Sequence, residues 1–278
     1  MSHRCFTVDI ADRVGHITLA RPDELNTMIP AFWRELPAIV NELSDSGDVR
    51  VIVVSSSGKH FTAGMDLSVF GGDSLAGAGE VGRVRANLRL NVLHLQEAFT
   101  AFERARVPVI AAVQGGCIGG GVDMVCACDM RYATADAFFC IQEINIGMTA
   151  DVGTLQRLPK LIPEAIAREY AYTGRRLLAA RAHELGFVNG VYGTHDQMIE
   201  GVMAVAGEIA ARSPLAVWGS KEMITYARDH SVADGLNFIA TWQTGMFQPA
   251  DMTEAFVARA EKRNPSYDDL HAVRRGLE

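Results

Sequence analysis

Several features that would settle the class of this protein at once are missing from its sequence. No apolar run approaches the roughly 20 residues that cross a bilayer. Met1-Ser2-His3-Arg4-Cys5-Phe6 has no apolar signal core, and Asp9 and Asp12 argue against an amphipathic transit peptide. Gly276-Leu277-Glu278 is not a peroxisomal address. These absences make the cytoplasm the default expectation, with no membrane as partner. A basic excess is missing too: 26 Lys and Arg face 33 Asp and Glu, a formal net charge of −7. That balance argues against nucleic acid, although a few local Lys and Arg residues still suffice to hold a nucleotide.

Cysteine is scarce and unpaired. There are five, and Cys117, Cys126, Cys128 and Cys140 cluster without any Cys-x-x-Cys spacing. Cys126 and Cys128 lie two apart on a predicted helix and point in different directions. The expectation is reduced cysteines serving as small core residues, and no metal site. No Ser or Cys has a His partner placed for nucleophilic catalysis, and no internal repeat is visible.

What remains is an ordinary globular composition, 49% hydrophobic and 21% charged over 278 residues, enough for one large domain or two small ones. Phe6 to Ile10 and His16 to Leu19 alternate as two strands of a hairpin turning near Arg13-Val14-Gly15. A helix is predicted over Ile29 to Leu43, and a buried strand over Val49 to Ser55. Phe70 to Gly82 holds five glycines and reads as a loop, either a mobile wall of a ligand pocket or a plain surface loop. Leu88, Val92, Leu95, Phe99 and Phe102 step by four and three, a helical stripe ending before Pro108. Val109 to Val113, Met130 to Thr134 and Ala137 to Ile141 are predicted strands, followed by a loop reaching Pro159. Helices then dominate: Glu164 to Tyr172, Ala179 to Leu185, Gln197 to Ala211, Pro214 to Arg228, Val232 to Phe247 and Met252 to Lys262. Strand–helix alternation followed by helices predicts an α/β core with a C-terminal helical extension. Alternation alone equally allows a doubly wound sheet.

Two glycine segments point to chemistry. Gln114 to Asp123 contains Gly119-Gly120-Gly121 and runs into an apolar helix start, where unpaired amides and the dipole favour a developing negative charge. It lacks the Lys-Ser/Thr ending of a phosphate loop and the spacing of a dinucleotide fold. Lys59 to Leu67 follows a predicted strand, and its small residues and glycine again free a backbone amide. The amides of Ala63 and Gly120 are the expected pair of oxyanion donors. Asp123 falls within the first turn of that helix, close enough to the same site to handle a proton.

These segments, with Arg21-Pro22-Asp23-Glu24-Leu25-Asn26 and Gly153-Thr154-Leu155-Gln156-Arg157-Leu158-Pro159, resemble the crotonase, or enoyl-CoA hydratase/isomerase, family in order along most of the chain. The resemblance implies a spiral core of repeated ββα turns over residues 1–200 carrying the acyl-CoA site. Residues 201–278 would form the helical region that packs trimers, commonly stacked into hexamers. Ala63, Gly64, Met65, Asp66, Leu67 and Gly121 would line coenzyme A, which enters as part of the substrate, with no other cofactor. Family hydratases hold a water between two glutamates; here the first is replaced by Asp123, one methylene shorter, while Glu143 is retained. Where those hydratases usually carry glycine this chain has Asp151, and a carboxylate in an acyl pocket is expensive without a task. The three carboxylates together imply isomerisation of 3,5-dienoyl-CoA to 2,4-dienoyl-CoA, a step of fatty acid β-oxidation, with Glu143 at C2, Asp151 at C6 and Asp123 orienting them. C2 and C6 are roughly 5 Å apart, too far for one short carboxylate to serve. The alternatives are 2-enoyl-CoA hydration and, from another class, acyl-CoA binding without catalysis. Phe256 and Glu261 to Pro265 resemble the segment that reaches a neighbouring subunit's coenzyme A, with a longer spacing from Phe256 to Lys262 than the usual pattern.

Overall fold

The computed structural model describes residues 3–69 and 80–274. It opens with β1 (Phe6–Ala11) and β2 (Val14–Leu19), an antiparallel hairpin. Asp12 and Arg13 both take positive φ, 49° and 64°, so the turn sits there, with Val14 and Gly15 already in β2. After α1 (Phe32–Ser46), strands β3 (Val51–Ser56), β4 (Val109–Val113), β6 (Met130–Thr134) and β9 (Gly190–Tyr192) extend the sheet in parallel, giving the order β1-β2-β3-β4-β6-β9. A second sheet, β5-β7-β8, is built from β5 (Gly116–Ile118), β7 (Phe138–Cys140) and β8 (Leu177–Leu178).

Each turn of the chain gives one strand to each sheet. β4 is followed at once by β5, and β6 by β7; after β3, Thr62 bridges Cys117 of β5 in parallel. The intervening helices are α2 (Val81–Arg104), α3 (Gly120–Cys126), α4 (Thr154–Leu161), α5 (Glu164–Thr173) and α6 (Ala179–Glu184). This is the ββα spiral that the resemblance implies, and it settles the doubly wound alternative: the second sheet is made by strands that follow the first directly.

The long parallel strands are almost wholly β-branched or Ala because both their faces are buried. Ile52, Val54, Val109, Ala111 and Val113 face a core with Phe32, Phe61, Phe99 and Phe102. Val51, Val53, Ile110 and Ala112 face the other way, onto Met198, Val202, Ala206 and Ala210 of α7 (His195–Ala210). All five cysteines are buried and unbridged, as small core residues.

Two readings of the sequence need correction. The stretch predicted as a loop up to Pro159 contains α4, whose first amide is capped by a side chain 31 residues away (below). Of the glycine-rich stretch Phe70 to Gly82, residues 70–79 lie outside the described ones, and Val81 and Gly82 open α2, capped by the Glu80 carboxylate.

The C-terminal helices α8 (Pro214–Asp229), α9 (Val232–Met246) and α10 (Pro249–Glu261) form a layer beside the spiral. Residue 200 lies inside α7, which packs on the large sheet. Ile224, Leu236, Phe247 and Phe256 stand exposed in the single chain. Lys221 ties α8 to the core: its buried Nζ donates to the carbonyls of Phe102 (2.6 Å) and Val107 (2.9 Å) and pairs with Asp129 at 2.9 Å. Beyond α10 the chain returns across the end of α1 and the start of β3. Arg50, 3% exposed, donates to Asp269 (2.8 Å), to the Ala210 carbonyl (2.9 Å) and to the Tyr267 carbonyl (2.6 Å).

Candidate active site

The two glycine segments come together through backbone pairing. Thr62 donates to the Gly116 carbonyl and Ile118 to the Thr62 carbonyl, both at 3.1 Å, so the segments run side by side. The Arg21–Asn26 motif clamps the first of them. Asn26 is 3% exposed; its side-chain amide donates to the carbonyls of Ser57 (2.8 Å) and His60 (3.1 Å), and its carbonyl oxygen accepts from the Arg21 amide. His60 accepts from the Gly116 amide at 2.9 Å, a structural use of its ring.

The amide of Ala63, expected as an oxyanion donor, is not free in the structure. The Ala63 amide is already bound, donating to the Leu25 carbonyl at 3.0 Å. Two residues on, Met65 stands in a parallel bridge with Met28 in which Met28 donates to Gly64 (2.8 Å) and Asp66 to Met28 (3.2 Å). That pattern turns the Met65 amide to the opposite side of the strand. Gly120 is the first residue of α3 and its amide has no acceptor within the helix. Gly119, which caps α3, holds φ 54° and ψ −123°, a conformation reserved to glycine, and a side chain there would stand 3.2 Å from Glu143 Oε1.

Of the remaining positions read as lining coenzyme A, Gly64 is buried while Ala63, Met65 and Asp66 are half-buried along the same strip, and Leu67 opens a short 3-10 turn. Asp66 accepts from Ser68 Oγ at 2.5 Å, from Thr27 Oγ1 at 2.8 Å and from the Ser68 amide at 3.0 Å, bonds that hold its carboxyl below the usual range. At Gly121 a Cβ would stand 2.5 Å from Thr62 Cγ2, so the missing side chain lets α3 pack against the Thr62 segment.

The three carboxylates come from three different segments and lie near enough for their charges to act on one another. Asp123 on α3 is fully buried, and its Oδ1 accepts from the Thr154 amide at 2.6 Å, capping α4. Burial pushes its pKa up to about 6; the Thr154 amide opposes that rise, the Asp151 charge adds to it, and Arg157 opposes it. Glu143 begins a short 3-10 turn to Ile146 and is pushed up to about 7, first by burial and then by the charges of Asp123 and Asp151. Asp151 is exposed at the rim, yet surrounding protein desolvates its carboxyl enough to raise the pKa. Its backbone is fixed, since Gln96 of α2 donates to the Asp151 carbonyl at 2.7 Å. Among the described residues, seven buried side-chain polar atoms lack a protein partner, and four gather here: Asp123 Oδ2, Glu143 Oε2, Thr154 Oγ1 and Arg157 Nε. Carboxylates poised near neutrality with unfilled bonding capacity suit proton transfer, not structure.

A spiral of ββα turns, two converging amide segments and a carboxylate cluster place the protein in a known class. The enoyl-CoA hydratase/isomerase family model matches residues 9–270, and the chain belongs to that family. It is 44% identical to the mitochondrial Δ(3,5)-Δ(2,4)-dienoyl-CoA isomerase of Homo sapiens over 90% of this chain and 77% of that protein. It is 41% identical to the peroxisomal enzyme of the same name from Arabidopsis thaliana, over 92% and 93%. A solved enoyl-CoA hydratase from Bacillus anthracis superimposes with a TM-score of 0.85 at 31% identity, covering 95% and 99%. The cytoplasmic expectation is overturned by these relatives, which are mitochondrial and peroxisomal. It had rested on absent signals alone. Among the described residues, no helix is long and apolar enough to cross a membrane.

Proposed function

We propose that this protein isomerises 3,5-dienoyl-CoA to 2,4-dienoyl-CoA as a step of fatty acid β-oxidation. The observation that carries the reading is the division of labour among the carboxylates. Asp123 is sealed in and holds the Thr154 amide, whereas Glu143 is half-buried with its Oε2 unpartnered and Asp151 stands exposed on a separate segment. Glu143, with a pKa near 7, takes the proton from C2. The electron pair moves into the thioester, giving a conjugated enolate whose oxygen accepts from the amides of Met65 and Gly120, a contribution of about 3 kcal/mol per donor. Asp151, protonated, delivers its proton to C6, and the double bonds settle at C2 and C4. Asp123 orients the loop that carries Asp151. The greater identity to dienoyl-CoA isomerases than to the hydratase supports this reading over water addition.

Coenzyme A lies along Ala63 to Leu67, brought in as part of the substrate, and the core through α7 carries the site while α8 to α10 carry assembly. The exposed Ile224, Leu236, Phe247 and Phe256 support a trimer, alone or stacked as a hexamer. Light scattering should give three or six times the single-chain mass; a clean monomer overturns the assembly. The reaction is tested by growth of conjugated-dienoyl thioester absorbance from 3,5-dienoyl-CoAs of several chain lengths. No turnover by folded protein, or hydration of 2-enoyl-CoA at a comparable rate, overturns it.

A further inference from the structure

Gln96, Thr100 and Glu103 follow one another at four and three residues and so share a face of α2. All three reach the segment that carries Asp151. Besides the bond from Gln96 to the Asp151 carbonyl, Arg157 Nη2 donates to Thr100 Oγ1 at 3.3 Å and to Glu103 Oε2 at 2.7 Å. The Arg157 and Glu103 side chains are each 13% exposed, so solvent does little to weaken the pair. Glu103 also accepts from Arg228 of α8, which anchors the clamp to the C-terminal layer.

Arg157 lies directly beneath Gly153. A Cβ at Gly153 would stand 1.8 Å from Arg157 Nη1, and Gly153 holds φ 135°. Gly153 is followed by Thr154, whose amide is the anchor of Asp123. The guanidinium therefore occupies the space under the short stretch of backbone that joins Asp151 to the Asp123 anchor.

We propose that Arg157, clamped by Glu103 and Thr100, is a positioning residue that props the Gly153 turn and so fixes where Asp151 stands relative to Asp123. Electrostatics runs the same way. Asp123 is faced by Asp151, whose charge disfavours its own, by Arg157, which favours it, and by Glu143 and the thiols of Cys117 and Cys126, whose ionisation the Asp123 charge disfavours.

Because that role rests on the reaction proposed above, one arm of the test needs no substrate. In the full chain, with fold and assembly mass matching the unmodified protein, Arg157→Gln should lower kcat roughly 10- to 100-fold while KM stays within about threefold. The Asp123 transition, followed by infrared titration of carboxyl groups with Asp123→Asn for assignment, should move to higher pH. Arg157→Lys restores the charge without the planar fork, so the titration should return toward the original while kcat stays low. Unchanged kcat with an unmoved Asp123 transition overturns the role, as does a loss confined to thermal stability. Should Arg157→Gln fail to fold, Glu103→Gln keeps the guanidinium and loosens its clamp; an unaltered kcat in that variant is equally fatal. Absence of turnover in the unmodified protein would defeat the reaction instead, and the infrared shift would still decide the role of Arg157.

Discussion

Lys221 and Asp123 are both buried ionisable side chains, 6% and 0% exposed, yet their surroundings differ in kind. The Lys221 ammonium has three donors and three acceptors: two carbonyls and the Asp129 carboxylate, which in turn accepts from the Val109 amide at 2.7 Å. Asp123 has one oxygen bonded and the other without a protein partner, and its neighbours Glu143, Thr154 and Arg157 each leave a polar atom unmatched. The first arrangement holds two helices and a strand at a fixed distance. The second tolerates an electrostatic penalty that no packing benefit repays, which is the pattern expected where charge must appear and disappear during a reaction. Completeness of bonding thus separates a structural charge from a reactive one within a single chain.

The widest gap between the two regions should come from Glu143→Gln. It should lower turnover roughly 10²- to 10⁴-fold in the dienoyl absorbance assay while leaving the thermal midpoint, at fixed protein concentration, equal or higher. A parallel collapse of stability would erase the distinction. Lys221→Met should do the reverse: removing one partner of a buried ion pair costs about 3–5 kcal/mol, toward the lower figure here because Asp129 keeps some solvent access. Urea unfolding should report that loss, and the protein that remains folded should turn over at close to its original rate.

Asp151→Asn sharpens the comparison inside the reactive region. Loss of the proton donor at C6 should lower isomerisation about 100-fold, yet exchange of the C2 hydrogen with deuterium oxide, read by mass spectrometry, should continue. If exchange stops as well, Glu143 and Asp151 do not hold separate ends of the substrate. The smallest effect concerns pH. Glu143 must be ionised to accept a proton, so kcat/KM should fall about tenfold per unit below pH 7. Its folded pKa of about 7 lies above the ordinary 4.5, so the folded state holds a proton that the unfolded state has released. The stability linked to Glu143 is therefore full below about 4.5 and lost as pH rises through 7. Chemical denaturation across that range, with and without Glu143→Gln, would expose the term.

The short motifs made much of this legible beforehand. Asp123, Glu143 and Asp151 each sit in a local pattern of glycine and apolar residues, and the strands β3 and β4 show themselves by short apolar runs rich in Val and Ile. What stayed hidden depends on partners far along the chain. Choosing between the amides of Ala63 and Met65 requires knowing that Leu25 binds the first and Met28 turns the second outward. Helix α4 has no capping residue at its own start and carries Pro159, both signs of a loop; Asp123 provides the cap across 31 residues. β8 and β9, two and three residues long, leave too little pattern to find. Gly121 signals a close approach, and the packing of Thr62 against it shows only in the folded chain.

The return of the chain past Tyr267 onto Arg50 has a consequence for biosynthesis. The guanidinium that opens β3 finds its carboxylate 219 residues later, and the Val273 amide donates to the Asp45 carbonyl beside it. While the ribosome is still making the middle of the protein, an early strand therefore carries a positive charge with no counterion. Contacts of such separation form late, since the intervening loop must first be closed. The N-terminal hairpin and its helix should then stay open to chaperones or proteases for most of translation. They become resistant only when the segment around Asp269 clears the exit tunnel, so that stretch acts as a latch on the finished molecule.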